Sequence, residues 1–289
     1  MFEQLGLIGC GLMGGSFALA LKKAGLVKRV VGYSKSPSTT DRARQMGVID
    51  VEAPSALMAV SGADIVLLAV PVAATEASFK AIKHLITPNM LVMDVGSTKR
   101  DVVDASRRVL KELAGVFVAA HPITGKEVSG VEHADADLYY GKQVILTPTE
   151  RTMVVQLQKA TDVWTALGCQ VLKMSPEAHD AAYAAVSHLP HMIAFALMNA
   201  INDQPNGKDY LSLAGPGFRD FTRIAASDAH MWRDVLMANR QELLAQSRLF
   251  QKALLTLEQM IMRDDGELLE AEIDKASLTR AQWRMTTRK

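Results

Sequence analysis

Short, nearly continuous apolar runs recur through the first half of the chain, at residues 5–9, 30–33, 65–70, 91–95, 116–120 and 143–147. Runs of this length without polar alternation mark strands covered on both faces, as in a parallel sheet flanked by crossover helices. Between them the period becomes helical over 16–24, 40–46, 74–86 and 99–113, with stops at Gly25, Gly47 and Pro88. Strand and helix in alternation predict an α/β domain with a doubly wound, Rossmann-type sheet. A helix at 152–167 and a strand at 170–173 complete it, and there the strand pattern ends. Ser175-Pro176 reads as a helix start, with serine as N-cap and proline at the first helical position. The helix that follows, to Asn202, is apolar on nearly every side, which predicts burial inside a domain or a subunit interface. Pro190 within it predicts a kink. Further helices are expected from Asp228 toward Arg263 and over 265–283, so the second part is all-α.

A chain of 289 residues exceeds one compact core and suits two domains. The expected division is a nucleotide domain at 1–170 and a helical domain at 171–289. With a formal net charge of +1, the protein has no field that would gather nucleic acid or an anionic membrane, which leaves a small molecule as the expected partner. The longest apolar stretch, 181–201, contains His188, Pro190 and His191, which favours a buried helix over a membrane span. Cys10 and Cys169 stand far apart without metal-ligand spacing, so neither a disulfide framework nor a metal site is expected. No secretory leader opens the sequence, and a cytoplasmic location is the expectation.

Gly9-Cys10-Gly11-Leu12-Met13-Gly14 follows the first strand and opens the first helix. Gly9 permits the tight turn, Gly11 lets backbone approach a pyrophosphate, and Gly14 allows close helix–strand packing, with the helix N-terminus facing the anion. Leu12 and Met13 complete that turn. The fingerprint's ribose-binding carboxylate belongs at the end of the second strand, where this chain has Ser34, followed by Lys35 and Ser36. No carboxylate stands there to repel a 2′-phosphate, so NADP is favoured over NAD. Val70 and Pro71, at the carboxyl end of another strand, are expected to line the nucleotide crevice.

Ser97, in Asp94-Val95-Gly96-Ser97-Thr98-Lys99, and His121, in His121-Pro122-Ile123-Thr124-Gly125, should open onto the same crevice. A histidine there suits proton transfer, because its ordinary pKa of about 6.5 leaves a neutral ring near neutral pH. From the helical part, Ser187, His188 and His191 cluster around Pro190, and Arg219 and Arg223 suit bidentate binding of a substrate carboxylate. The structural alternatives are a hydrogen-bonded core histidine for His188 and a charge pair with Asp220 for the arginines.

These blocks, with Leu138–Lys142 and Met231-Trp232-Arg233-Asp234, resemble the prephenate/arogenate (cyclohexadienyl) dehydrogenase family over almost the whole sequence. The resemblance implies a hydride passed from a hydroxyl-bearing ring carbon to nicotinamide, with loss of the ring carboxylate and aromatisation, in the synthesis of tyrosine. It implies that His121 accepts the hydroxyl proton and that Ser97 bonds the same hydroxyl. Arg223 would bind a substrate carboxylate, Ser187 and His191 would line the pocket beside His188, Thr124 and Gly125, and the helical domain would form a homodimer. Whether prephenate or arogenate is the substrate stays open; Glu127 is a carboxylate that would either favour an amine or pair with Lys126 or an arginine. The rival readings are a 3-hydroxyacid-type dehydrogenase with two similar domains and a non-catalytic NADP-binding sensor.

Overall fold

A computed structural model describes residues 1–126 and 128–284. They form two compact units, Met1–Asn239 and Arg240–Lys289. The first opens with β1 (Phe2–Ile8), α1 (Leu12–Lys23), β2 (Val27–Tyr33), α2 (Pro37–Gln45), β3 (Val51–Glu52), α3 (Ala56–Val60), β4 (Ile65–Leu68), α4 (Thr75–Ile82), β5 (Leu91–Asp94), α5 (Arg100–Leu110) and β6 (Phe117–Val118). The six strands pair in parallel in the order β3-β2-β1-β4-β5-β6, the doubly wound arrangement expected. Alternate residues of β4 feed opposite cores. Ile65 and Leu67 pack with Leu5, Phe17 and Trp164, whereas Val66 and Leu68 pack with Phe79, Val102 and Phe117. A strand buried on both faces has no polar side, which is why the sequence shows runs rather than alternation.

The run at 116–120 does not continue as one strand. After β6 the chain bends at Ala119, whose carbonyl accepts from Thr147 N–H at 2.9 Å, and enters β7 (Ala120–Pro122). With β8 (Gln143–Leu146), α6 (Val154–Ala166) and β9 (Gln170–Lys173), β7 builds a second sheet of order β7-β8-β9. There β7 runs antiparallel to β8, with His121 opposite Ile145, and β8 parallel to β9. The 143–147 run therefore lies outside the doubly wound sheet. Pro122, which has no N–H to give, sits on an edge strand, where proline is tolerated.

Next come α7 (Pro176–Tyr183), α8 (Leu189–Asn202), α9 (Gly207–Ser212), α10 (Pro216–Thr222) and α11 (Ala229–Ala238). Ser175 caps α7, its hydroxyl accepting from Ala178 N–H at 3.1 Å. Between α7 and α8 the backbone widens into a π-helical turn over Ala184–His188, just before Leu189 and Pro190. Proline therefore stands at the start of α8, where its missing N–H is tolerated, and the irregularity falls on the turn before it. The apolar run Pro176–Asn202 is long and apolar enough by composition to cross a membrane, yet only 17% of its apolar window is buried within the chain. The chain itself thus leaves most of that surface uncovered. The helix expected from Asp228 toward Arg263 is interrupted at Asn239, the C-cap of α11. The second unit consists of α12 (Arg240–Met262) and α13 (Gly266–Gln282), with Asp265 capping α13 through Leu268 N–H at 3.1 Å.

Candidate active site

The glycine turn closes tightly between β1 and α1. Gly9 has φ +96°, and a Cβ there would meet the Ala69 carbonyl oxygen at 2.2 Å; one on Gly14 would meet the Gly9 carbonyl at 2.0 Å. Above Gly11 nothing lies within 4 Å of the corresponding position. The two flanking glycines thus pack the turn against β4, while the middle one leaves bare backbone facing open space at the start of α1, a cradle that fits a pyrophosphate. Leu12 is buried, and the Met13 carbonyl accepts from the Tyr139 hydroxyl at 2.7 Å, which anchors the first turn of α1. Ser34 Oγ accepts from Cys10 N–H at 2.8 Å, so this hydroxyl braces the glycine turn. Ser36 is the N-cap of α2 with its Oγ 2.8 Å from Ser38 Oγ, and Lys35 stands between Ser34 and Ser36. Val70 and Pro71 follow β4, with Val70 beside Gly9. Burial pushes the Cys10 thiol up to about 11, against the opposing hydrogen bond from Ser34, which keeps it neutral.

At the carboxyl end of β5 lies a buried ion pair. Lys99 Nζ donates to Asp94 Oδ2 and, at 2.7 Å, to the Ala120 carbonyl, and the lysine is fully buried. Asp94 is further satisfied by Ala120 N–H at Oδ1 and Gly96 N–H at Oδ2, each at 2.9 Å. Both backbone groups of Ala120 are therefore pinned, one residue before His121.

His121 Nδ1 lies 2.8 Å from His179 Nε2, and His179 Nδ1 lies 2.8 Å from Asp180 Oδ1. Tyr183 stacks on His179 at 4.6 Å and 21° and touches His121 at 4.8 Å. Burial, with the repulsion that a protonated His179, Lys99 and a protonated His188 exert on a second positive charge, lowers the His121 pKa well below the usual histidine value, so the ring is neutral at neutral pH. Asp180 comes from α7 and accepts from Lys99 N–H at 2.9 Å and Arg100 N–H at 3.0 Å, at the start of α5.

From the helical segment, His191 Nδ1 bonds the Ser187 carbonyl at 2.8 Å, and its ring stacks on Trp232 at 3.5 Å and 22°. His188 is 1% exposed; its Nδ1 lies 3.0 Å from Asn239 Nδ2, and its buried Nε2 has no hydrogen-bond partner among the described residues. Burial, only partly opposed by the Asp180 charge, holds its pKa down at about 4. Asn239 Nδ2 also donates to the Asp180 carbonyl at 2.7 Å, which ties His188 to the His179–Asp180 pair.

Ser97 is partly exposed in the loop that leads to Lys99, with no direct hydrogen bond to His121 among the described residues. Thr124 Oγ1 donates to the Leu138 carbonyl at 3.2 Å, Gly125 is exposed, and Glu127 lies outside the described residues. Arg223, exposed, follows α10, and Arg219 makes an exposed contact with Asp220 at 3.4 Å. The sequence reading missed His179, Asp180, Tyr183 and Asn239 as parts of the site. Only the Ser175-Pro176 helix start pointed at that stretch.

Two family models match the chain: the nucleotide-binding domain of prephenate dehydrogenase over residues 17–173 and the dimerization domain of prephenate dehydrogenase over 175–275. The prephenate dehydrogenase of Bacillus subtilis is 37% identical over 84% of this chain and 66% of its own length. The cyclohexadienyl dehydrogenase of Zymomonas mobilis is 32% identical over 93% and 92%. Among solved structures, prephenate dehydrogenase from A. aeolicus in complex with hydroxyphenyl propionate and NAD+ is 36% identical and superimposes with a TM-score of 0.91 over 98% of each chain. A glycine cradle at the head of a doubly wound sheet and agreement over both halves of the sequence place the chain in the prephenate dehydrogenase family.

Proposed function

We propose that this protein is a nicotinamide-dependent dehydrogenase of tyrosine biosynthesis that oxidises and decarboxylates prephenate, arogenate or both. The observation that carries the reading is a neutral His121, its pKa depressed by burial, on a strand end pinned by Lys99 and Asp94. The bound nicotinamide supplies a hydride acceptor. His121 takes the proton of the ring hydroxyl as the carbon–hydrogen bond breaks, and Ser97 orients that hydroxyl. The electron pair of the ring carboxylate bond then flows through the ring to the new carbonyl oxygen, carbon dioxide leaves, and the phenolate takes a proton back. A base that stores one proton transiently is all that this sequence requires of the chain.

Arg223 is assigned to a substrate carboxylate, and Ser187, His188, His191, Thr124 and Gly125 to the pocket wall. On this reading, residues 1–170 hold the nucleotide and residues 171–289 hold the substrate and pair two copies of the chain. The uncovered apolar surface of Pro176–Asn202 and the match to a dimerization domain support the pairing. For the nucleotide, Gly9, Gly11, Leu12, Met13 and Gly14 cradle the pyrophosphate and Val70 and Pro71 line the adenosine side. The absence of a carboxylate at Ser34, with Lys35 and Ser36 beside it, favours NADP over NAD. Two buried, unpaired cysteines support a reducing, cytoplasmic setting.

Purified protein offered prephenate or arogenate, each with NAD or NADP, gives four rates of nicotinamide reduction. Turnover of neither substrate rejects the function, and a tenfold preference for NAD rejects the NADP assignment. His121→Asn should keep nucleotide affinity and lose turnover by about 10² to 10⁴; a loss below threefold would remove His121 from the chemistry. Arg223→Ala should mainly raise the Michaelis constant of the substrate, and an unchanged constant would assign Arg223 to structure.

A further inference from the structure

Behind His121 the hydrogen bonds run in one direction only, and the chain of donors can be worked out from its far end. Asp180 accepts two backbone N–H groups, from Lys99 and Arg100, in addition to facing His179. Burial alone would raise its pKa, but the bonds from His179, Arg100 and Lys99 outweigh it and the net shift is downward. Asp180 is therefore ionised near neutral pH, and an ionised carboxylate only accepts. His179 Nδ1 must carry the proton between them. Burial lowers the His179 pKa in spite of the Asp180 hydrogen bond, so that ring is neutral and its Nε2 holds a lone pair. A lone pair facing His121 Nδ1 at 2.8 Å requires the proton to sit on His121 Nδ1.

Resting on the reading of His121 as the proton acceptor, we infer that His179 and Asp180 are positioning residues that lock His121 in its Nδ1–H tautomer. His121 Nε2 is thereby left as the basic atom, and the imidazolium formed in turnover is balanced by the Asp180 charge. Free imidazole side chains favour the opposite tautomer, so the lock changes the state of the ring. Tyr183 stacks on the His179 ring and packs at a tilt against the His121 ring. Among the described residues, the other charged or titratable groups facing the relay are the Lys99–Asp94 pair from the β5–α5 segment, Asp101 from the first turn of α5, whose charge is felt at Asp180 and Lys99, and His188 from the π-helical turn. Lys99 and Asp94 pair with one another and His188 is held uncharged, so Asp180 is the charge in direct hydrogen-bond contact with the relay.

The tautomer is directly measurable in the intact protein. Histidine-selective ¹⁵N labelling with long-range proton–nitrogen spectra at neutral pH distinguishes Nδ1–H from Nε2–H, and the His121 signals are assigned by their loss in His121→Asn. In the wild type, His121 and His179 should both be Nδ1–H. In Asp180→Asn and His179→Phe, His121 should revert to Nε2–H, and kcat should fall by about 10²-fold with the substrate KM within threefold, the signature of a wrongly held base. The acid limb of the Asp180→Asn profile should move to lower pH. His179→Gln, whose amide oxygen accepts where Nε2 did, should keep the Nδ1–H form and recover most of the turnover lost in His179→Phe. An Nε2–H signal for His121 in the wild type, or equal tautomers and rates in the Gln and Phe variants, would overturn the inference. The Gln and Phe pair decides even if Asp180→Asn fails to fold. If the tautomers respond as stated while His121→Asn stays active, the lock stands and the assignment of His121 as base falls.

Discussion

His188 makes the acid stability of the protein calculable. Its ring is 1% exposed and its pKa stands at about 4 against an ordinary 6.5. Above pH 6.5 the folded and unfolded chains both hold a neutral ring, so His188 contributes no pH dependence there. Between 6.5 and 4 the unfolded chain takes up a proton that the folded chain refuses, and stability falls as pH falls; below about 4 both forms are charged and the loss levels off. At about 1.4 kcal/mol per unit, carrying the protein from pH 7.5 to 4.5 costs about 2.5 kcal/mol through this one residue. His188→Gln removes the titration while leaving an amide oxygen to face Asn239. Urea unfolding followed by tryptophan fluorescence, at one protein concentration and at both pH values, gives the loss for each protein. The wild type should lose about 2 to 3 kcal/mol more than the variant. Equal losses within about 0.5 kcal/mol would mean that His188 titrates near its ordinary value in the folded protein.

The depressed pKa of His121 places the acid limb of kcat/KM below 6.5, because the base stays unprotonated until the pH falls past its folded value; an acid limb at 6.5 or above would contradict it. Lys99→Met should destabilise the protein by about 3 to 5 kcal/mol, since it strands the Asp94 carboxylate in a site 2% exposed. Thermal unfolding measures the loss, and a change below about 1 kcal/mol would mean that Asp94 finds another cation or takes up a proton.

What could be read from the sequence was whatever has a short-range signature. The apolar runs, Gly9, Gly11 and Gly14, and the Ser175-Pro176 start all announce themselves within a few residues, and five of the six strands of the main sheet follow from them. β3 and α3 are two and five residues long, too short for a period to register. The bend at Ala119 has no local marker beyond Pro122, and it moves His121 from the main sheet to a second one. His179 meets His121 across 58 residues, and Lys99 meets Asp180 across 81. Nothing in the sequence around His179 tells a capped helix start from half of a relay, because its role is set by a partner brought up by the fold. Apolarity of the 176–202 helix was legible, whereas the absence of a cover within the chain was not.

The buried Lys99–Asp94 pair gives the strongest indication of what this arrangement is for. A buried ion pair is a poor stabiliser, since apolar side chains of similar volume often serve as well or better by about 1 to 4 kcal/mol. Its value must then lie in what it holds. Lys99 Nζ fixes the carbonyl of Ala120, the residue before His121, and Lys99 N–H fixes Asp180, the residue after His179. One residue thus sets both ends of the His121–His179 contact, from the strand side through its side chain and from the helix side through its backbone. An apolar residue could fill the same volume and make the backbone bond, but it has no donor for Ala120 and would let the strand end drift. The relay distances of 2.8 Å need both holds at once, which is a geometric reason to bury a charge where stability alone gives none.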